Sequence, residues 1–274
     1  MISSGLYQET AEQVRRAGSA IFPTFYAQPF AAPTDQLAVD IIPSPDRGPF
    51  VVTGIQGLPF FTTNLTRSDR VSIRAGGNEL QFAPFLASGL IGNAQSRAMN
   101  STLTAPILVP PGSSLFIRNT VEGAAGIVGN ADAVLLQGFH TDRAGARVVA
   151  QYGQPWVIPV THDHNATGLT DISTQRQFQE GVLELSSLAV GFMTTPPDIF
   201  SVRFRGVELS QAATTFAPVG QTDNPAAAGC GLYATASKAD SIIVRSVYTP
   251  VTAGQVYKAN IWTRRIYQGG NTGC

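Results

Sequence analysis

From about Asp35 to its end the chain alternates short apolar and β-branched runs with clusters of Gly, Pro, Asn and Thr. Three runs show a period of two: Val71-Ser72-Ile73-Arg74, Val202-Arg203-Phe204-Arg205 and Ile261-Trp262-Thr263-Arg264. That period sends apolar side chains to one face of an extended strand and polar ones to the other. Residue types and spacing predict further strands over Leu37–Ile42, Phe50–Ile55, Leu80–Phe85, Leu103–Val109, Ser114–Asn119 and Ala133–Phe139. In the second half they predict Arg147–Tyr152, Trp156–Val160, Val182–Met193, Phe200–Leu209, Ser241–Tyr248 and Val256–Tyr267. Gly76-Gly77-Asn78, Pro110-Pro111-Gly112, Pro196-Pro197-Asp198 and Ala253-Gly254 supply turn chemistry between strands. Many short strands with such turns predict an all-β fold, an antiparallel β-sandwich or jelly roll, as one sandwich or two stacked ones.

The first 34 residues break this pattern. Thr10-Ala11-Glu12-Gln13 has the form of a capping box, with Thr10 as N-cap and Gln13 three residues on. It predicts a short helix to about Ala17, ended by Gly18. Ile21–Phe30 then carries Phe22, Phe25, Tyr26 and Phe30 with Pro23 and Pro29, and has no helical period. Proline fixes φ and removes a donor, so this stretch is expected to be an extended apolar arm. Such an arm packs along its own domain or reaches a neighbouring subunit, and the sequence leaves both open. One further helical turn is expected near Thr174–Glu180.

Two stretches echo one another. Thr62–Leu80 and Thr194–Leu209 each place a Thr pair before an alternating Arg-bearing strand and then a Gly. Pro110–Asn119 and Thr252–Asn260 each run from a Gly turn into a strand ending in Asn. Shared turn chemistry alone could produce this, and internal duplication is the alternative. The expected organisation is an arm over 1–34, a first sandwich half over 35–160 and a second over 161–274, or one continuous domain.

Composition narrows the function. Apolar residues make up 43% of the chain, enough for a packed core. Formal net charge is zero, which argues against a nucleic-acid-binding surface. Only 13% of residues are charged, so the surface is polar without being ionic and suits close contact with other proteins. Sixteen of the 18 basic residues are Arg, a composition expected of interfaces or of a GC-rich genome. Arg264 and Arg265 are candidate contact residues, second to the four aromatics of the arm.

Cys230, in a Gly/Ala stretch read as a loop, and Cys274 do not make a disulfide framework, so free thiols in a reducing compartment are expected. The opening residues lack the charged-then-apolar pattern of a secretory leader. On that reading the sequons at Asn64, Asn100 and Asn165 are chance. No apolar run approaches the length of a membrane span.

Candidate chemistry is sparse. His162-Asp163-His164-Asn165 is the one cluster with metal-ligand character. In a strand both imidazoles share a face and could hold a metal with a third ligand such as His140 or Asp171. A polar loop after Pro159 is the expected reading, so no metal is assigned. No catalytic residue and no cofactor is assigned either. There is no G-x-S-x-G, Walker or Rossmann pattern. Glu180, Glu184 and Glu208 read as scattered surface acids rather than a glycosidase pair. Phe60, Phe61, Trp156, Trp262 and Tyr267 could line a sugar platform, and aromatics in sandwiches are mostly core.

The chain resembles virion proteins of bacterial viruses, especially capsid and capsid-associated β-sandwich proteins. The resembling features are the leaderless start, the arm closing in Pro23–Phe30, the Thr/Gly/Ala-rich strands, and the run from Ala105 to Thr120 leading to Ala131–Phe139. The resemblance implies a non-enzymatic structural protein of a virus particle, a phage capsid cement or decoration protein or a coat subunit. It implies partners among copies of itself, as a homo-oligomer, and other capsid or virion proteins, with assembly in the host cytoplasm. The contact residues expected are Phe22, Phe25, Tyr26 and Phe30, then Arg264 and Arg265. The alternatives are a tail or baseplate component and a carbohydrate-binding or adhesin-type sandwich.

Overall fold

A computed structural model describes residues 5–29, 36–58, 70–81, 85–86, 103, 105–120, 133–164, 171–178, 182–192, 199–213, 225–238, 240–247 and 255–265. Helix α1 spans Gly5–Arg16, starting earlier than the expected Thr10 cap. Thr10 lies mid-helix, buried, and its hydroxyl donates back to Leu6 O at 2.7 Å instead of capping. The helix ends as expected. Gly18 takes φ 79°, its N–H donates to Arg15 O, and the Ser19 N–H donates to Val14 O, a Schellman closure.

The strands of the first half are β1 (Ile21–Pro29), β2 (Gln36–Ile41), β3 (Phe50–Leu58), β4 (Arg70–Ala75), β5 (Asn78–Glu79), β6 (Phe85–Leu86), β7 (Ile107–Val109), β8 (Leu115–Thr120) and β9 (Ala133–Thr141). Helix α2 (Arg143–Ala150) follows. Then come β10 (Gln154–His164), β11 (Asp171–Gln177), β12 (Leu183–Phe192), β13 (Ile199–Phe204), β14 (Val207–Ala213), β15 (Pro225–Ala236), β16 (Ser241–Val247) and β17 (Gln255–Arg265).

The sheets run β1-β9-β3-β7, β2-β8-β4-β5 with β6 beside β4, β10-β17-β12-β15 and β11-β16-β13-β14. All these strand pairings are antiparallel. The third and fourth orders repeat the first two. Replacing β1, β9, β3, β7 by β10, β17, β12, β15, and β2, β8, β4, β5 by β11, β16, β13, β14, carries one half onto the other. Each half is thus the paired-sheet weave of a jelly roll.

The first half takes its strands from 21–141 and the second from 154–265. The change falls at α2, and β10 runs straight through the expected division after residue 160. The apolar stretch is extended as expected and, of the two packings left open for it, lies along its own chain: β1 pairs with β9 residue for residue from Ile21↔Thr141 to Pro29↔Ala133. Of the two sequence echoes, the first matches β4 with β13, as the topology does. The second matches β8 with β17, whereas the strand equivalent to β17 is β9.

The first half closes over one core. Phe50, Val52 and Ile55 of β3, Ile107 and Val109 of β7 and Val134 and Leu136 of β9 meet Ile41, Ile73, Leu115 and Ile117 from the facing sheet. Val157 of β10 joins this cluster, and its N–H donates to Leu80 O at 3.1 Å, which joins the two halves. In the second half β16 alternates fully, burying Ile242, Val244 and Ser246.

Four further expectations change. Arg147–Tyr152 is not a strand, since residues to Ala150 belong to α2. Asp142 Oδ1 accepts the Gly145 N–H at 2.8 Å and caps that helix. The face of Gly145, Ala146 and Val149 is buried beside Ala11 and Val14 of α1, over Val51 and Phe139 on the outer side of the first sheet. The stretch at Thr174 is strand β11 paired to β16, not a helical turn. Its partly exposed polar residues find ladder partners that a lone segment would lack. Cys230 lies in β15 opposite Leu188, not in a loop, since Gly and Ala residues extend readily when a neighbouring strand supplies the ladder. Leu80–Phe85 is not one continuous strand. β5 ends at Glu79, Gln81 makes an isolated bridge to Val157, and 82–84 lie outside the described residues.

Asp142→Ala removes the α2 cap and should lower the melting temperature by about 2–4 °C, while Asp142→Asn should keep most of it. A thermal melt followed by circular dichroism checks this.

Candidate functional site

The apolar surface of the first half gathers on β1. Pro23 and the aromatic residues hold this strand extended, and the β9 ladder fixes it. Phe22 is 58% and Phe25 63% exposed, whereas Tyr26 turns inward. The Tyr26 ring meets Phe50 edge-on, with centroids 4.9 Å apart.

Its hydroxyl anchors a buried chain of hydrogen bonds. The Gly48 carbonyl only accepts, so His140 Nδ1 carries the proton and donates to it at 2.9 Å. His140 Nε2 is then the acceptor for the Tyr26 O–H at 2.8 Å, and Tyr26 Oη accepts the Ser44 N–H at 3.0 Å. His140 is fully buried. Burial pushes its pKa below the ordinary value. The acceptors at Gly48 and Pro49 oppose this, and the positive charge of Arg47 adds to it. Both ring nitrogens are occupied, so His140 is a structural core histidine and not the third metal ligand.

Ile42, 61% exposed, lies two residues before Ser44 and so comes to the Tyr26 end of β1. In the pair Ile41-Ile42 extended backbone turns the two side chains to opposite faces, so only one is buried. Ile41 is buried. Phe30 lies outside the described residues.

The second-choice arginines are engaged within their own sheet. Arg264 stands opposite Glu184 in the β12–β17 register and forms an ion pair with it. The Arg265 guanidinium lies over the Trp156 ring at 3.3 Å, with Trp156 buried beneath it. A buried Trp156 is no sugar platform. Phe60, Phe61 and Tyr267 lie outside the described residues, as does the Trp262 side chain.

His162 and His164 sit in strand β10 opposite Tyr257 and Gln255, not in a loop, because β17 supplies a ladder along the whole of β10. Their side chains lie outside the described residues. Asp171, the other suggested third ligand, is held by Arg245 through hydrogen bonds of 2.8 and 2.5 Å. Among the described residues no group of three His, Cys, Asp or Glu is placed to hold a metal. Nor is any helix among them long and apolar enough to cross a membrane.

No family model and no curated protein matches the chain. Solved structures match it by fold. The major capsid protein P2 from Bacteriophage PM2 superposes with a TM-score of 0.50 at 8% identity, covering 92% of this chain and all 100% of that one. The STIV MCP gives a TM-score of 0.47 at 10% identity, over 90% of this chain and 97% of that one. A structure of Sulfolobus Turreted Icosahedral Virus gives 0.46 at 11% identity, over 90% and 91%. At such identities the likeness is one of fold, and the P2 superposition identifies a viral capsid-like fold.

Proposed function

We propose that this protein is a coat subunit of a bacterial virus, a non-enzymatic structural protein of the virion that assembles in the host cytoplasm with copies of itself and other virion proteins. The supporting observation is the jelly-roll strand order, given twice by one chain, on a fold that spans a major capsid subunit from end to end. A decoration protein needs only a surface to sit on. A subunit built throughout as two equivalent sandwiches is suited to tiling, with the halves dividing at α2. A shell repeats one contact many times, so modest contacts sum. Closed symmetry such as a trimer would bury exposed apolar strand residues.

Light scattering over a concentration range, with electron microscopy of the same samples, tests this. A discrete closed oligomer that builds sheets or shells is the expected result. A monomer at every concentration would overturn the coat reading.

A further inference from the structure

Strand β1 lies at one end of its sheet order, so among the described residues one of its edges is unpaired. Its backbone polarity can be read from β9. The Thr141 N–H donates to Pro49 O, on the β3 side. In an antiparallel ladder consecutive residues turn their N–H and C=O to opposite sides. His140, Gly138, Leu136 and Val134 therefore face β1, where their partners are Phe22, Thr24, Tyr26 and Gln28. That leaves Ile21, Pro23, Phe25, Ala27 and Pro29 directing their backbone outward.

Two of these five outward positions are proline and carry no N–H. An incoming strand would miss a donor at Pro23 and again at Pro29, which interrupts backbone pairing. The side chains behave oppositely. Phe22 and Phe25, an odd number of residues apart, project from opposite faces of the strand, and both are more than half exposed. Tyr26 ties the strand down through His140 and Ser44, so the backbone that carries Phe22 and Phe25 is fixed before any partner arrives.

We propose that the β1 edge is a contact between copies of this chain, made by docking Phe22 and Phe25 into a neighbour and closed to strand addition. This rests on the coat-subunit reading. The occupant follows from charge. No residue of β1 is charged, so the edge offers nothing to an ionic partner. The chain as a whole has 18 basic and 18 acidic residues, so copies approach without net repulsion.

The test is the solution mass of full-length Phe22→Ser/Phe25→Ser beside wild type and Val207→Ser. Val207 is 63% exposed on β14 and controls for general loss of apolar surface. All three should melt within about 2 °C of one another, because the replaced side chains are exposed. The double variant should dissociate at concentrations at least about 100-fold higher than wild type, or lose the oligomer outright, with Val207→Ser unchanged. If wild type and double variant associate alike, the β1 contact is wrong and the coat reading stands. A wild type that stays monomeric overturns both.

Discussion

Replacing Gly138 with alanine should lower the melting temperature by about 6 °C or more, a loss of about 3 kcal/mol or greater. Gly138 sits in β9 between two ladders, opposite Thr24 of β1 and Val52 of β3. The β3 register shifts just beyond that pair, between Val52 and Gly54. A β-carbon at 138 would stand 1.9 Å from Val51 O, 2.9 Å from Val51 C and 3.1 Å from Phe50 Cζ. The first two are backbone atoms, so no rotamer change relieves them. Room comes only by moving β3 off β9, which breaks ladder bonds and opens the fully buried contacts of Phe50 and Val51. Gly54→Ala is the matched control, because the nearest atoms to its β-carbon would belong to the Gln137 side chain, no closer than 3.4 Å. Equal melts for Gly138→Ala and Gly54→Ala would show that β3 does not pass so close to β9.

The all-β class was legible because it is written in local chemistry. Val202-Arg203-Phe204 alternates in sequence and in burial, and the Gly76-Gly77 turn takes the positive φ angles that only glycine adopts without strain. What could not be read depends on partners distant in sequence. Residues 147–150 carry two valines and suggest a strand; they are helical because Asp142 caps them and α1 offers an apolar surface. The residues of β11 and β15 are too polar or too small to announce strands, and acquire that state from β16 and β12. The first sequence echo falls on β4 and β13, which hold equivalent places in the two halves, whereas the second pairs β8 with β17, which do not. Within the candidate site, exposed aromatics on an extended segment were legible. Their split was not: Tyr26 turns inward because a buried histidine 114 residues away accepts its proton.

That histidine makes acid stability the second large effect. Folded His140 is neutral and its pKa is lowered, chiefly by burial, while in the unfolded chain it titrates near the ordinary value of about 6.5. Below that value the unfolded state binds the extra proton first. Stability is therefore fully present above about pH 6.5 and falls as pH drops toward the folded pKa, by at most about 1.4 kcal/mol per pH unit over that window. Protonation also turns Nε2 from acceptor to donor, so the Tyr26 O–H loses its partner, and it sets a second positive charge near Arg47 on the turn Pro45–Arg47. Both changes loosen β1, the strand that carries Phe22 and Phe25, so acid should weaken association before it unfolds the body. His140→Gln stays uncharged at every pH. At pH 7.5 it should be less stable than wild type by about 2 kcal/mol, because the buried chain through Tyr26 and Gly48 is broken. Chemical denaturation at pH 7.5, 6.5, 5.5 and 5.0 should show that gap narrowing toward acid, as only the wild type has a histidine to protonate there. Parallel stability curves for the two proteins would mean that His140 is not the acid-sensitive group and that β1 is held by other contacts.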